Sequence, residues 1–245
     1  MRTTWVIAKR EFAAYFGSPL AYVVTFFFLL GLGAFFFFGG LYQDVGAPFY
    51  FAKVVSVSNL FNASHLLFLF LIPALTMRLL AEERRSGTLE LLTTLPVRDI
   101  EVVLGKFLAA FGYLLIVLLL TGVYPIYVST LGDLDWGAVI AGYLGLALVG
   151  FGYLAIGVFA SSVTQHQVVA FVVALFIALP FFLLHKVSFL FGSGTGNVLE
   201  FLAFRQHFDS IARGVLDTGD IIYFLGVAAI FIFLAHRLLA GRRWR

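Results

Sequence analysis

Ser64 and His65 stand side by side in an otherwise apolar stretch, and as a pair they could supply a nucleophile and its base. A serine hydroxyl becomes nucleophilic only when a neighbouring base takes its proton, and that base works best when a third group orients it. No carboxylate lies nearby in sequence, so the pair does not read as an intramembrane hydrolase. The other histidines, at 166, 185, 207 and 236, are scattered. The absence of cysteine removes a disulfide framework, a thiolate metal site and a catalytic thiol. No HExxH or other paired ligand set suggests a metal. Gly105-Lys106 lacks the upstream glycine and the following hydroxyl of a phosphate-binding loop, so the chain holds no nucleotide site of that type.

The elements that carry these residues are set by composition. Of 245 residues, 62% are hydrophobic and 12% charged, with a mean hydropathy of +1.02. Soluble domains carry roughly 25% charged residues, and a core of this chain length could not hide so much apolar surface from water. Lipid is the alternative solvent. A spanning helix needs about 20 mainly apolar residues, and six stretches supply them: 20–41, 60–80, 107–130, 138–160, 168–187 and 221–239. Continuous apolar runs favour helices over the alternating strands of a barrel. The first run is too long for a signal-peptide core and lacks a small-residue cleavage site, so it should be retained. The weakest spans on hydropathy are the second, with Asn62, Ser64 and His65, and the fourth, rich in glycine.

Lysine and arginine set the orientation. One side of the six spans holds Arg2, Lys9, Arg10, Arg78, Arg84, Arg85, Arg98, Lys106, Arg237, Arg242, Arg243 and Arg245, whereas the other holds only Lys53, Lys186, Arg205 and Arg213. The excess places both termini and the 81–106 loop in the cytoplasm. Carboxylates lie in loops or at span ends, which gives no support to a proton- or sodium-coupled pump. The absence of an evident internal repeat weakens a secondary carrier. That leaves a transport or scaffold protein whose energy must come from elsewhere.

Three segments between the spans are patterned. Trp5, Ala8, Phe12 and Phe16 recur at helical spacing, with Arg2, Lys9, Arg10 and Glu11 on other faces, so an interfacial helix should precede the break at Gly17-Ser18-Pro19. In the 81–106 loop, Leu89, Leu92 and Leu95 share a face that Leu91 borders, Pro96 ends the short helix, and Asp99 reads as the N-cap of the next helix with Glu101 in its first turn. That leucine face needs a partner, either lipid or protein. In the 188–220 loop, Phe191 to Asn197 is flexible by composition, whereas Phe201, Phe204, Phe208, Ile211 and Val215 step by three and four. Arg205, Gln206, Asp209 and Arg213 face elsewhere. This reads as an amphipathic helix at the outer surface, folded back into the outer leaflet or simply anchoring there. In the fourth span, Ala138/Gly142 and Ala141/Gly145 are small residues four apart, a spacing expected to serve packing within one subunit.

The string Glu82-Glu83-Arg84-Arg85-Ser86-Gly87-Thr88-Leu89-Glu90-Leu91-Leu92-Thr93-Thr94-Leu95-Pro96-Val97, leading to Leu104-Gly105-Lys106-Phe107, resembles the ABC-2 type permease family. It is most similar to the branch of bacterial permeases associated with gliding motility. The opening from Lys9 to Pro19 and the outer motif His207-Phe208 with Arg213-Gly214-Val215-Leu216-Asp217 are similar to the same branch, so the resemblance spans the chain. It implies a single all-α membrane domain over 1–245 in the bacterial inner membrane: six spans, a cytoplasmic coupling helix, an N-terminal interfacial helix and an outer amphipathic or re-entrant helix before the last span. It also implies a second permease, identical or related, and a separate ATPase subunit that binds ATP and magnesium. This chain would have no enzymatic site and no cofactor of its own. Lipid is the surrounding partner, and nucleic acid is not expected. Glu82, Glu83, Arg84, Arg85, Gly87, Thr88, Leu89, Leu92 and Leu95 would form the ATPase-coupling interface, with Glu83 meeting the ATPase and Gly87 allowing a bend. Phe204, His207, Phe208, Arg213 and Gly214 would form the outer helix. The rival expectation is a scaffold in which the ATPase moves or releases a partner protein and nothing crosses.

Overall fold

The computed structural model describes residues 2–39, 57–87, 98–214 and 217–240. Every regular element among them is helical. Helix α1 (Arg2–Phe16) precedes α2 (Pro19–Phe38), with Pro19 at the first helical position, where its missing N–H costs nothing. After α3 (Ser58–Thr76) a turn at residues 77–80 leads to the one-turn α4 (Ala81–Arg85). Helix α5 (Asp99–Thr121) continues past Gly122 as α6 (Val123–Ser129). Asp135 caps α7 (Trp136–Val163), its carboxylate accepting from the Gly137 and Ala138 N–H groups at 2.9 and 3.3 Å. Then come α8 (Gln167–Val187), a short 3₁₀ turn (Ser188–Leu190), α9 (Ser193–Leu202), α10 (Phe204–Ala212) and α11 (Thr218–Ala240). Six of these segments are long and apolar enough to cross a membrane: Pro19–Phe38, Ser58–Arg85, Asp99–Ser129, Trp136–Val163, Gln167–Leu190 and Thr218–Ala240.

Helix α7 is the centre of the bundle and packs against α3, α5, α8, α10 and α11. Its glycines make this possible. A Cβ at Gly142 would overlap the Phe61 ring of α3, one at Gly150 would strike Leu114 of α5, and one at Gly157 would overlap the Thr76 side chain. The small-residue stripe thus lets neighbouring helices approach within one chain. The two spans that read weakest in sequence, the second and the fourth, are mostly buried, so they need no lipid-like exterior.

Three sequence expectations change. Helix α1 docks on α5 through Ile7, Ala8, Glu11, Phe12 and Tyr15, with Ile7 against Gly105 and Phe12 against Gly112, while Trp5 is 69% exposed and Phe16 also faces outward. The expected apolar face is therefore divided between protein and surroundings, and Glu11 belongs to the protein side. The N-cap of α5 is Arg98, not Asp99, and Glu101 reaches back to accept from the Arg98 N–H at 3.3 Å. The outer segment is two helices, broken at Ala203, and 193–197 are helical where composition suggested a flexible stretch. Phe201 and Phe204 consequently lie on different helices. Phe204 and Phe208 reach the α7 glycines at 152 and 145. Gly152 is about 17 Å from the Val163 end of α7 at 1.5 Å per residue, so α10 packs against the middle of that helix.

Candidate functional site

At the Arg2 end of the bundle, Lys106 is 1% exposed on α5. Its Nζ lies 2.8 Å from Glu83 Oε1 on α4 and 3.1 Å from Glu11 Oε2 on α1. Arg10 completes the group, with Nη2 at 2.7 Å from Glu11 Oε1 and 3.9 Å from Glu83 Oε1. Two cations and two carboxylates leave the cluster neutral, which is the condition for keeping an ammonium in so dry a place. Burial pushes the Glu11 carboxyl up. Lys106, together with the hydrogen bond from Arg10, outweighs that and holds it below the ordinary carboxylate value. The hydrogen bond to Glu11 in turn raises the Arg10 guanidinium.

A second tie lies beside the first. Tyr15 donates to the Leu75 carbonyl at 3.1 Å, stacks on Tyr113 at 4.8 Å and carries the Arg78 guanidinium over its ring at 5.5 Å. Burial drives its phenol pKa upward, so it stays a neutral donor. Arg78 also donates to Ser18 Oγ at the start of α2. A cavity of about 300 Å³ separates the two ties, lined by Glu11, Tyr15, Arg78, Glu82, Glu83 and Lys106 among others.

The turn between α3 and α4 breaks the helical hydrogen bonding, and one side chain repairs it. Ser161 Oγ accepts from the Leu80 and Ala81 N–H groups at 2.9 and 3.1 Å and donates to the Met77 carbonyl at 3.2 Å. On α4, Glu83 and Arg84 turn inward, and Glu82 and Arg85 turn out. Gly87 follows with φ +72°, a conformation that favours glycine, and no described residue beyond its chain neighbours lies within 4 Å of where a Cβ would stand. Of the expected coupling residues, Thr88, Leu89, Leu92 and Leu95 lie outside the described residues.

At the opposite face, Phe204, His207, Phe208 and Ile211 are buried on α10. Phe204 is enclosed by Tyr153, Phe181 and Phe224 at 4.7–5.3 Å between ring centroids. His207 Nε2 faces the Phe201 carbonyl at 2.8 Å, and a carbonyl only accepts, so this nitrogen carries a proton. Nδ1 lies 2.7 Å from Asp220 Oδ1 at the start of α11. The ring stacks on Tyr223 at 3.9 Å, and Tyr223 donates to the Leu202 carbonyl at 2.6 Å. Gly214 closes α10 at φ +85°, next to Arg213, whose Nε donates to the Asp209 carbonyl.

Ser64 and His65 are turned to separate partners. Ser64 donates to the Leu60 carbonyl at 2.7 Å, while His65 Nε2 lies 3.3 Å from the Tyr153 hydroxyl. The Glu11–Lys106–Glu83 and His207–Asp220 groupings were not visible in sequence. Each joins residues from separate segments, and the only local signal was charge close to the end of an apolar run.

The sequence model of the ABC-2 family transporter protein matches residues 5–240. That match is to the family as a whole and does not carry the narrower resemblance to the gliding-motility branch. Comparison with curated proteins gives no match.

Proposed function

The chain belongs to the ABC-2 family of transporter proteins, and on that premise we propose that it is the permease subunit through which a separate ATPase drives transport. In this reading the ATPase, which holds ATP and magnesium, docks on the segment from Glu82 to Leu95, the complex contains two permeases, and both termini lie in the cytoplasm of a bacterial inner membrane. The observation that supports it is the bridging of Lys106 by Glu83 and Glu11. A force on α4 is passed to α1 and to the foot of α5 at once, because all three meet at one buried ammonium. A junction of this kind lets the three helices move as one rigid body. Glu83 then acts from within, through Lys106, while the exposed Glu82 and Arg85 offer charge to the ATPase. Gly87 supplies the bend that leads toward the leucine face.

The test is affinity purification in mild detergent with the co-expressed ATPase, combined with ATP hydrolysis by the complex. Glu82→Lys with Arg85→Glu should reduce ATPase retention. Glu83→Lys and Gly87→Pro should break the link between permease and hydrolysis. If Glu83→Lys and Gly87→Pro leave both retention and hydrolysis unchanged, the coupling assignment is wrong.

A further inference from the structure

Only four basic residues lie on the outer side by sequence, and three of them gather around two neighbouring cavities. The first, about 410 Å³, is lined by Phe182, His185, Lys186, Phe189 and Arg205. The second, about 500 Å³, has Arg205 and Arg213 in its wall together with Ser58, Asn62 and Gln206. Arg205 forms part of both walls. Its Nε donates to Asp209 Oδ2 at 2.9 Å, and its two terminal nitrogens make no hydrogen bond among the described residues. A guanidinium has five donors in a planar fork suited to phosphate or carboxylate oxygens, so most of this fork remains unused.

The surroundings specify the rest of the ligand. Lys186 is about 29 Å along α8 from Gln167, close to the far boundary of a roughly 30 Å hydrocarbon layer. Phe189, next to it, is 79% exposed, and Leu190 and Phe191 continue the apolar surface. The first cavity thus pairs basic groups at headgroup level with a phenyl wall open to the side. Lys186 near a helix C-terminus is explained by the helix dipole alone. Arg205 is not, because it enters the same cavity from α10. Of the nearby carboxylates, Asp209 is engaged by Arg205 and Glu200 lies 3.8 Å from His185 Nδ1, and neither lines this cavity.

We propose that Lys186 and Arg205 hold the phosphate of an anionic amphiphile at the outer boundary, with its acyl chains along Phe182 and Phe189. Basic pockets between membrane helices recognise lipid phosphates in this manner, by charge-assisted hydrogen bonds alongside an apolar wall. The site does not depend on the ATPase reading.

The test uses the full chain in mixed micelles and counts retained lipid by native mass spectrometry, with phosphatidylglycerol and phosphatidylcholine as probes. Wild type should retain phosphatidylglycerol about tenfold more tightly than phosphatidylcholine, the scale of one charge-assisted hydrogen bond. Arg205→Gln and Lys186→Gln should each remove most of that preference, whereas Asp209→Asn, which breaks the same pair but keeps the cation, should preserve it. Should Arg205→Gln fail to fold, Lys186→Gln at the helix end carries the comparison. Inorganic phosphate at millimolar concentration distinguishes the sources: failure to displace the lipid supports an amphiphile, and full displacement overturns it in favour of a free anion. Equal retention of the two lipids by wild type, or an unchanged preference in Lys186→Gln, also overturns the proposal.

Discussion

Lys106 Nζ sits 2.8 Å from Glu83 Oε1 and thereby joins α4 to α5 across a sequence separation of 23 residues. With Glu11 on its other side, the ammonium is almost wholly removed from solvent. Removing Lys106 leaves two carboxylates against the single guanidinium of Arg10. Lys106→Met should therefore destabilise the protein by about 3–5 kcal/mol. Adding Glu11→Gln and Glu83→Gln to that variant should recover most of the loss. Denaturant titration in micelles, followed by circular dichroism, measures both.

The cluster also predicts a direction with pH. Glu11 has a lower pKa in the folded protein than its ordinary value of 4.5. Its contribution is fully present above that ordinary value and is lost as pH falls through the lower folded one. The α1–α5 contact should be insensitive to pH near neutrality and weaken only in the acid range below 4.5. Hydrogen exchange of α1 amides against pH should show this, and Glu11→Gln should flatten the acid limb.

Ser161 is the acceptor for two backbone N–H groups in the turn before α4. Ser161→Ala leaves the Leu80 and Ala81 amides without it, at a cost of about 1–3 kcal/mol. Because the defect is local, hydrogen exchange should accelerate at residues 80–86 while α7 itself stays protected. Uniform acceleration throughout the bundle would instead mark Ser161 as a general packing residue.

His207 Nδ1 and Asp220 Oδ1 are in direct contact at 2.7 Å, so their substitutions should not add. His207→Gln and Asp220→Asn each disturb the other partner, and a double-mutant cycle should give a coupling of about 1–3 kcal/mol. A coupling near zero in thermal melts would mean that the stack on Tyr223, and not the contact with Asp220, holds α10 to α11.

Six spans were legible from hydropathy because lipid demands the same thing of every residue on an exposed face. The second and fourth spans read weakly for the converse reason. Asn62, Ser64 and His65 and the glycines of α7 belong to helices mostly surrounded by protein, where shape and hydrogen bonding replace apolarity as the requirement. The break at Ala203 was hidden because phenylalanines at 201, 204 and 208 keep helical spacing across it. The site was less legible than the fold. Glu83 was visible as part of a motif, but its partner Lys106 follows a long way along the chain, and Glu11 looked like one charge among several on an amphipathic helix. Long-range ion pairing leaves no period for a sequence to display.

The glycine track of α7 is fully occupied by neighbours from its own chain, with Phe61, Leu114, Phe204 and Thr76 filling the grooves. The helices that present their sides outward are α2, α8 and α11, and they do so with large residues such as Phe26, Phe27, Phe176 and Phe233. Whatever lies beside these helices in the membrane accordingly meets a rough, aromatic exterior in place of a flat track of glycines.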